Sequence, residues 1–242
     1  MKNVRIAMWS GPRNISTAMM RSFENRPDTF VSDEPFYGYY LNNTDIDHPG
    51  KKEVLRSMEC GWDKVVDYIT GFIPEEASIW YQKHMAQHNL PGVDLSWIGQ
   101  VTNCFLIRDP KEVILSYSKK YEVTRSELLG FSQQVELYRK IIEEIGEDPV
   151  IIDARDVLHD PIDILQKFCE AVGIPFMDEM LSWPAGPRDT DGVWAKYWYS
   201  SVEASTCFQP YMQPTEELSS EQEAIYEECL VYYDTLHRKR IY

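Results

Sequence analysis

The stretch Met8–Thr17, MWSGPRNIST, places a Gly-Pro turn, one arginine and three donor side chains between an apolar run and a helix-forming segment. A loop that joins a strand to a helix exposes backbone N–H groups at the helix N-terminus, where the partial positive charge suits a phosphate or a sulfate. Ser10 and Gly11 permit the turn and Pro12 fixes it. Arg13 supplies a permanent cation of bidentate reach, and Asn14, Ser16 and Thr17 add side-chain donors. The loop lacks the Gly-Lys-Ser/Thr ending of a nucleoside triphosphatase, and no obvious metal-binding aspartate follows a hydrophobic strand. Both features count against magnesium-dependent triphosphate chemistry. A purely structural account, with Ser16 as a helix cap and Arg13 as a solvated charge, competes on even terms for this stretch alone.

A second stretch, LIRDPKEVILSYSKK from Leu106 to Lys120, has the same logic. Arg108 ends an apolar strand, Pro110 opens a helix, and Ser116 follows Arg108 by eight residues, about two helical turns. Arg108 and Ser116 are thereby expected to face one crevice. In isolation, an Arg-Asp pair beside a helix start with a surface serine explains the stretch as well.

The elements that must hold these residues alternate. Short apolar runs at Val4–Trp9, Thr29–Ser32, Ser78–Gln82, Asn103–Ile107 and Pro149–Asp153 read as strands. Helical spacing covers Ser16–Glu24, Glu53–Phe72, Pro110–Tyr121, Arg125–Ile145, Pro161–Val172 and Glu217–Arg238. Such alternation predicts an α/β fold, a three-layer sandwich with a central parallel sheet that binds its ligand beyond the carboxyl ends of the strands. One domain over residues 1–242 is expected. Within it, 183–214 loses all periodicity and crowds Trp, Tyr, Pro and Gly into an irregular aromatic-rich segment, a lid or a packed loop.

Apolar residues make up 43% and charged residues 26%, an ordinary globular balance, and the net charge of -15 argues against a nucleic-acid partner. Any anion must then be held by a local cluster of donors. The five cysteines are widely spaced, odd in number and never form a CxxC pair, which argues against a disulfide framework or a zinc site and fits a reducing cytoplasm. No apolar run is long enough for a membrane span or a secretion signal, so a soluble chain without a membrane partner is expected.

Taken together, PRNIST followed by RDPKEVILSY about a hundred residues later resembles the sulfotransferases that use 3'-phosphoadenosine 5'-phosphosulfate. That family has a P-loop-like fold. Its first loop reads Pro-Lys/Arg-Ser-Gly-Thr-Thr, and its second Arg-Asn/Asp-Pro with a serine eight positions after the arginine. IIDARDVLHDPIDILQKFCEAVGIPF is similar to a further segment of the family, so the likeness runs from Val4 to about Phe176. The resemblance implies that Gly11, Pro12, Arg13, Asn14, Ser16 and Thr17 surround the donor's 5'-phosphosulfate and that Arg108 and Ser116 hold its 3'-phosphate, with no metal. Two features depart from it. Ile15 stands where the family has glycine, with Gly11 as the place to which the flexibility could move. The family's basic-glycine segment near the C-terminus has no clear counterpart, and Arg188 and Lys196 are the nearest substitutes.

In-line transfer of a sulfuryl group asks the protein to position two oxygens, to stabilise charge on the leaving phosphate and to accept the proton of the sulfated group. Arg13 is the candidate for the leaving group. For the base there are two candidates, Glu34 in SDEPFY and His84 in WYQKHMAQH. Histidine has the better intrinsic pKa, whereas a carboxylate must be raised by burial. The placement of Glu34, as in carbohydrate-acting and bacterial members, favours it. Lys83 is a candidate contact to the transferring sulfonate, and His88 is a weaker candidate in a polar stretch before Pro91. The acceptor is expected to be a small molecule bearing a hydroxyl or an amine, with a carbohydrate or a peptide as alternatives. Competing functions are an ATP-dependent phosphotransferase and a nucleotide-binding protein without chemistry.

Overall fold

The computed structural model describes residues 3–242. Strands β1 (Val4–Ser10), β2 (Thr29–Asp33), β3 (Ile79–Met85), β4 (Thr102–Ile107) and β5 (Val150–Asp153) form one parallel sheet in the order β2-β3-β1-β4-β5. The helices are α1 (Ser16–Glu24), α2 (Tyr37–Asn42), α3 (Lys51–Ser57), α4 (Trp62–Thr70), α5 (Pro110–Ser118), α6 (Phe131–Ile145), α7 (Ala154–His159), α8 (Pro161–Ala171), α9 (Ala195–Trp198), α10 (Ser200–Glu203) and α11 (Ser220–His237).

Side chains alternate across a strand, so central β1 divides its apolar residues between two cores. Ile6 and Met8 pack with Met19 and Phe23 of α1 and with Leu165 and Phe168 of α8. Ala7 and Trp9 face the other side, with residues of α4, α5, α6 and α11. The three-layer α/β sandwich expected from the alternating elements is the fold of the chain. Parallel pairing of β1 with both β3 and β4 places the turns after these central strands side by side at one edge of the sheet.

The elements differ from the periodic reading at several places, and at three of them the local reason is plain. The helix expected over Glu53–Phe72 is two, α3 and α4. Met58 is extended between them, and Glu59 Oε1 accepts from the N–H groups of Cys60 and Gly61 at the start of α4. The helix expected from Arg125 begins at Phe131, because Gly130 turns left-handed at φ 76° and separates it from a short 3-10 turn. Helix α7 was not expected; Asp153 caps it by accepting from the Arg155 N–H.

The 183–214 segment contains α9 and α10, and its Cys207 forms an isolated bridge to Ser182 just before it. Its root is tied to α1 by the buried Arg21–Asp191 ion pair at 2.5 Å. Farther along, Trp194, Ala195 and Tyr199 pack with Tyr37, Tyr40, Leu41 and Val54 in a third small core.

Candidate functional site

A cleft of about 310 Å3 opens at the carboxyl ends of the central strands. One end is the loop after β1. Gly11 is required there by crowding, since a Cβ on it would lie 2.5 Å from the Leu129 carbonyl oxygen. It does not take up the flexibility that the family's glycine would supply. Arg13 and Ile15 do so instead, at φ 60° and 52°. Left-handed residues on either side of Asn14 turn successive N–H groups into a concavity suited to an anion. No side chain caps α1, so Ser16 is its first helical residue and not its cap, and the orphan N–H groups remain available.

Pro12, Arg13, Asn14, Ser16, Thr17, Arg108 and Ser116 all line this end. Arg13 Nε donates to Ser116 Oγ at 3.0 Å, and Arg108 Nη1 donates to the Arg13 carbonyl at 2.7 Å. Arg108 is aimed by Glu112, whose Oε2 accepts from its Nε at 2.8 Å. The two motifs, far apart in sequence, therefore meet through their side chains. Burial lowers the pKa of Arg13, and the neighbouring Arg108 charge lowers it further. Asn14 Nδ2 donates to the Leu106 carbonyl at 2.9 Å, while its Oδ1 is buried without a partner.

The other end gathers around Lys83, which is 1% exposed. Its Nζ donates to Asp33 Oδ1 at 2.8 Å, to Glu34 Oε1 at 2.6 Å and to the Tyr199 hydroxyl at 2.7 Å. Burial alone would lower its pKa, but Asp33 and Glu34 outweigh burial and hold it well above the ordinary value, so it stays an ammonium. Glu34 is raised above the usual carboxylate range, chiefly by burial and against the pull of Lys83. Its second oxygen, Oε2, lies 3.9 Å from Nε2 of His88.

His84 is set apart from the expected site residues. It follows Lys83 in β3 and so points to the opposite face of the sheet, where it stacks on Trp9 at 4.4 Å between ring centroids. Its Nε2 meets Gln82 Oε1 at 3.2 Å, and burial drives its pKa down to about 3. It does not line the cleft. Arg188 and Lys196 do not line it either: Arg188 lies 3.6 Å from Glu24, and Lys196 pairs with Glu53 at 2.6 Å.

Sequence reasoning passed over Asp33, Tyr37, Tyr40, His48, Trp194 and Tyr199, and ranked His88 low. Apart from Asp33, all of these line the cleft. A signal for Tyr37 and Tyr40 existed in SDEPFYGYY, because residues three apart on a helix share a face. Tyr199 gave no local signal. It reaches Asp33 from 166 residues away, its hydroxyl donating to the carboxylate at 2.7 Å.

A loop with an uncapped helix start after the first strand of a parallel sheet, with a second arginine after the neighbouring strand, defines a P-loop-like α/β protein. The chain belongs to the sulfotransferase domain family, whose model matches residues 4–240. It is similar to two proteins of Arabidopsis thaliana. Branched-chain-amino-acid aminotransferase-like protein 2 is 35% identical over 96% of this chain and 41% of its own length, and the like-named protein 1 is 39% identical over 84% and 36%. The chain thus spans about two fifths of the length of these relatives. A sulfotransferase from Alicyclobacillus acidocaldarius of known crystal structure shares the fold, with a TM-score of 0.54 at 10% identity over 100% of this chain and 98% of that one. Among the described residues no helix is long and apolar enough to cross a membrane, and no group of three or more metal-ligating side chains converges.

Proposed function

We propose that this chain transfers a sulfuryl group from 3'-phosphoadenosine 5'-phosphosulfate to a hydroxyl or amine of a small molecule. One observation carries the reading: a single cleft has two arginines at one end and a buried carboxylate with a raised pKa at the other. The donor fits the first end. Arg13 and Arg108 repel each other there, and a bound phosphate relieves that like-charge contact while the uncapped α1 terminus donates to it.

In this reading Arg13 and the loop N–H groups receive the 5'-phosphosulfate, and Arg108 with Ser116 receives the 3'-phosphate. Transfer forms a bond from sulfur to the acceptor oxygen or nitrogen as the bond from sulfur to the 5'-phosphate oxygen breaks. Arg13 stabilises the charge left on that phosphate. Glu34 takes the acceptor's proton, for which its raised pKa suits it. Lys83 keeps Glu34 in place and offers a positive charge toward the sulfonate. His84 has no part, since it faces the other side of the sheet. Residues 183–214 act as the cover of the acceptor end within a single domain.

An aminotransferase activity, which the names of the plant relatives contain, is not part of this reading. The buried lysine of the cleft is held as an ammonium by two carboxylates, the opposite of an amine ready to attack a carbonyl. The phosphotransferase alternative likewise draws nothing from the family match.

The test is nucleotide preference. Calorimetry should show 3'-phosphoadenosine 5'-phosphate binding far more tightly than 5'-AMP, and Arg108→Ala should cost the bisphosphate about tenfold to a hundredfold while barely changing 5'-AMP. Equal affinities in the unaltered protein would sink the proposal.

A further inference from the structure

We propose that His88 and Glu34 together seat the acceptor's nucleophile, and that this two-point seat selects a neutral hydroxyl over an amine. The inference rests on the sulfuryl-transfer reading above and names the substrate class it left open.

Glu34 Oε1 is committed to Lys83, so Oε2 is the oxygen left for the acceptor. The 3.9 Å between Oε2 and His88 Nε2 is too long for a direct hydrogen bond. It does match two atoms bridged by one oxygen about 2.8 Å from each. His88 is 2% exposed and fixed in place, its ring stacked on Tyr37 at 5.1 Å and on Tyr40 at 4.6 Å. Glu34 and His88 both line the cleft. Burial keeps the imidazole neutral, so it carries one N–H. Facing a carboxylate oxygen, that hydrogen belongs on Nε2, which leaves Nδ1 unprotonated. Nδ1 is a buried atom without a protein partner, a further unmet polar group in the cleft wall.

A nucleophile bridging this pair must donate to Oε2 and accept from Nε2–H. A hydroxyl does both, having one hydrogen and two lone pairs. It gives its proton to Oε2 as its oxygen bonds to sulfur. An alkylamine at neutral pH is an ammonium with donors only. It would leave the His88 N–H unpaired, and it has no electron pair for sulfur. A site built to hydrogen-bond a hydroxyl penalises the analogue that cannot answer it.

The test uses 2-naphthol and 2-naphthylethanol against 2-naphthylethylamine as acceptor probes with the sulfated donor, and nitrogen-15 NMR of the imidazole. His88→Phe keeps the ring stack without nitrogens, and His88→Gln restores a donor near the Nε2 position. We expect the Nε2–H tautomer, hydroxyl probes sulfated at least about tenfold faster than the amine, and KM for the hydroxyl probes raised about tenfold or more in His88→Phe. His88→Gln should recover part of that loss, with binding of 3'-phosphoadenosine 5'-phosphate unchanged in both variants. The Nδ1–H tautomer, equal turnover of the amine, or an unchanged KM in His88→Phe would overturn the seat. If no probe is sulfated, the tautomer decides alone. Loss of bisphosphate binding by the unaltered protein would instead bring down the sulfuryl-transfer reading, and this inference with it.

Discussion

The two ends of the cleft are built in different ways. At the arginine end, the residues come from two strand-turn-helix units, Arg13 and Arg108 from the turns after β1 and β4 and Ser116 from α5, and the strands β1 and β4 are hydrogen-bonded neighbours. The sheet itself brings Arg13, Arg108 and Ser116 together, so two short motifs suffice. At the carboxylate end the sheet accounts for only part of the set. It pairs Asp33 at the end of β2 with Lys83 of β3, whereas His88 in the turn after β3, the tyrosines of α2 and Tyr199 are brought in from remote segments by packing and side-chain hydrogen bonds. A phosphate presents the same chemistry in every donor, and a local motif can serve it. An acceptor differs from enzyme to enzyme, and a wall assembled from remote segments can change without disturbing the sheet.

If the division is one of chemistry as well as construction, damage at one end should leave the other intact. Glu34→Gln should give the largest effect, a fall of about 10²–10⁴-fold in turnover, with binding of 3'-phosphoadenosine 5'-phosphate unchanged by calorimetry. The unaltered enzyme should gain activity as pH rises through the pKa of Glu34, which lies above the ordinary carboxylate value because burial disfavours the charge. The variant should lack this rise. A loss of nucleotide affinity comparable to the loss of turnover would show that the two ends act as one unit.

Stability should follow the same residue in the opposite direction. Glu34 holds its proton in the folded chain at pH values where the unfolded chain has released it. Stability therefore falls as pH rises from the ordinary glutamate value to the folded one, and levels off above it. Lys83→Met should steepen this fall. Asp33 and Glu34 would be left buried without their cation, which costs about 3–5 kcal/mol when both are charged. Urea midpoints should separate the variant from the parent most at high pH and least where Glu34 is protonated. A pH-independent difference would mean that the lysine matters for packing and not for charge.

This contrast in construction also decides what could be read in advance. The parallel sheet and the arginine end were legible because strand runs, Gly-Pro, Arg-Asp-Pro and an eight-residue spacing are local patterns. At the carboxylate end only Glu34 and Lys83 were legible, and their surroundings were not. Lys83 and His84 are adjacent in sequence, and only the strand's alternation sends Lys83 to the cleft and His84 to the Trp9 stack. His88 looked like a polar residue before a proline. Its value comes from two tyrosines of α2 and a carboxylate beyond β2, none of which its own neighbours announce. In 183–214, Tyr199 is at once part of a small core and a partner of the buried lysine, a pairing that its own aromatic-rich neighbours do not announce.

The smallest effect concerns the residue that departs from the family loop. Ile15 takes φ 52° with no glycine to ease it, and a β-branched side chain in the left-handed region is strained by about 1–3 kcal/mol. Such strain persists only where the surroundings hold it, and here the Ile15 side chain packs partly against the core beneath α1. Ile15→Gly removes the strain and the packing together, and it adds conformational freedom to the unfolded chain. These terms oppose one another, so the melting temperature should move by only a few degrees, whereas nucleotide binding should hold because the left-handed turn is then intrinsically allowed. Ile15→Ala keeps the backbone penalty but loses the packing, and it should be the less stable of the two. If Ile15→Ala binds 3'-phosphoadenosine 5'-phosphate normally while Ile15→Gly binds it weakly, the rigid isoleucine is what shapes the anion concavity. The arginine end would then owe its geometry to packing as well, and the contrast between the two ends would narrow.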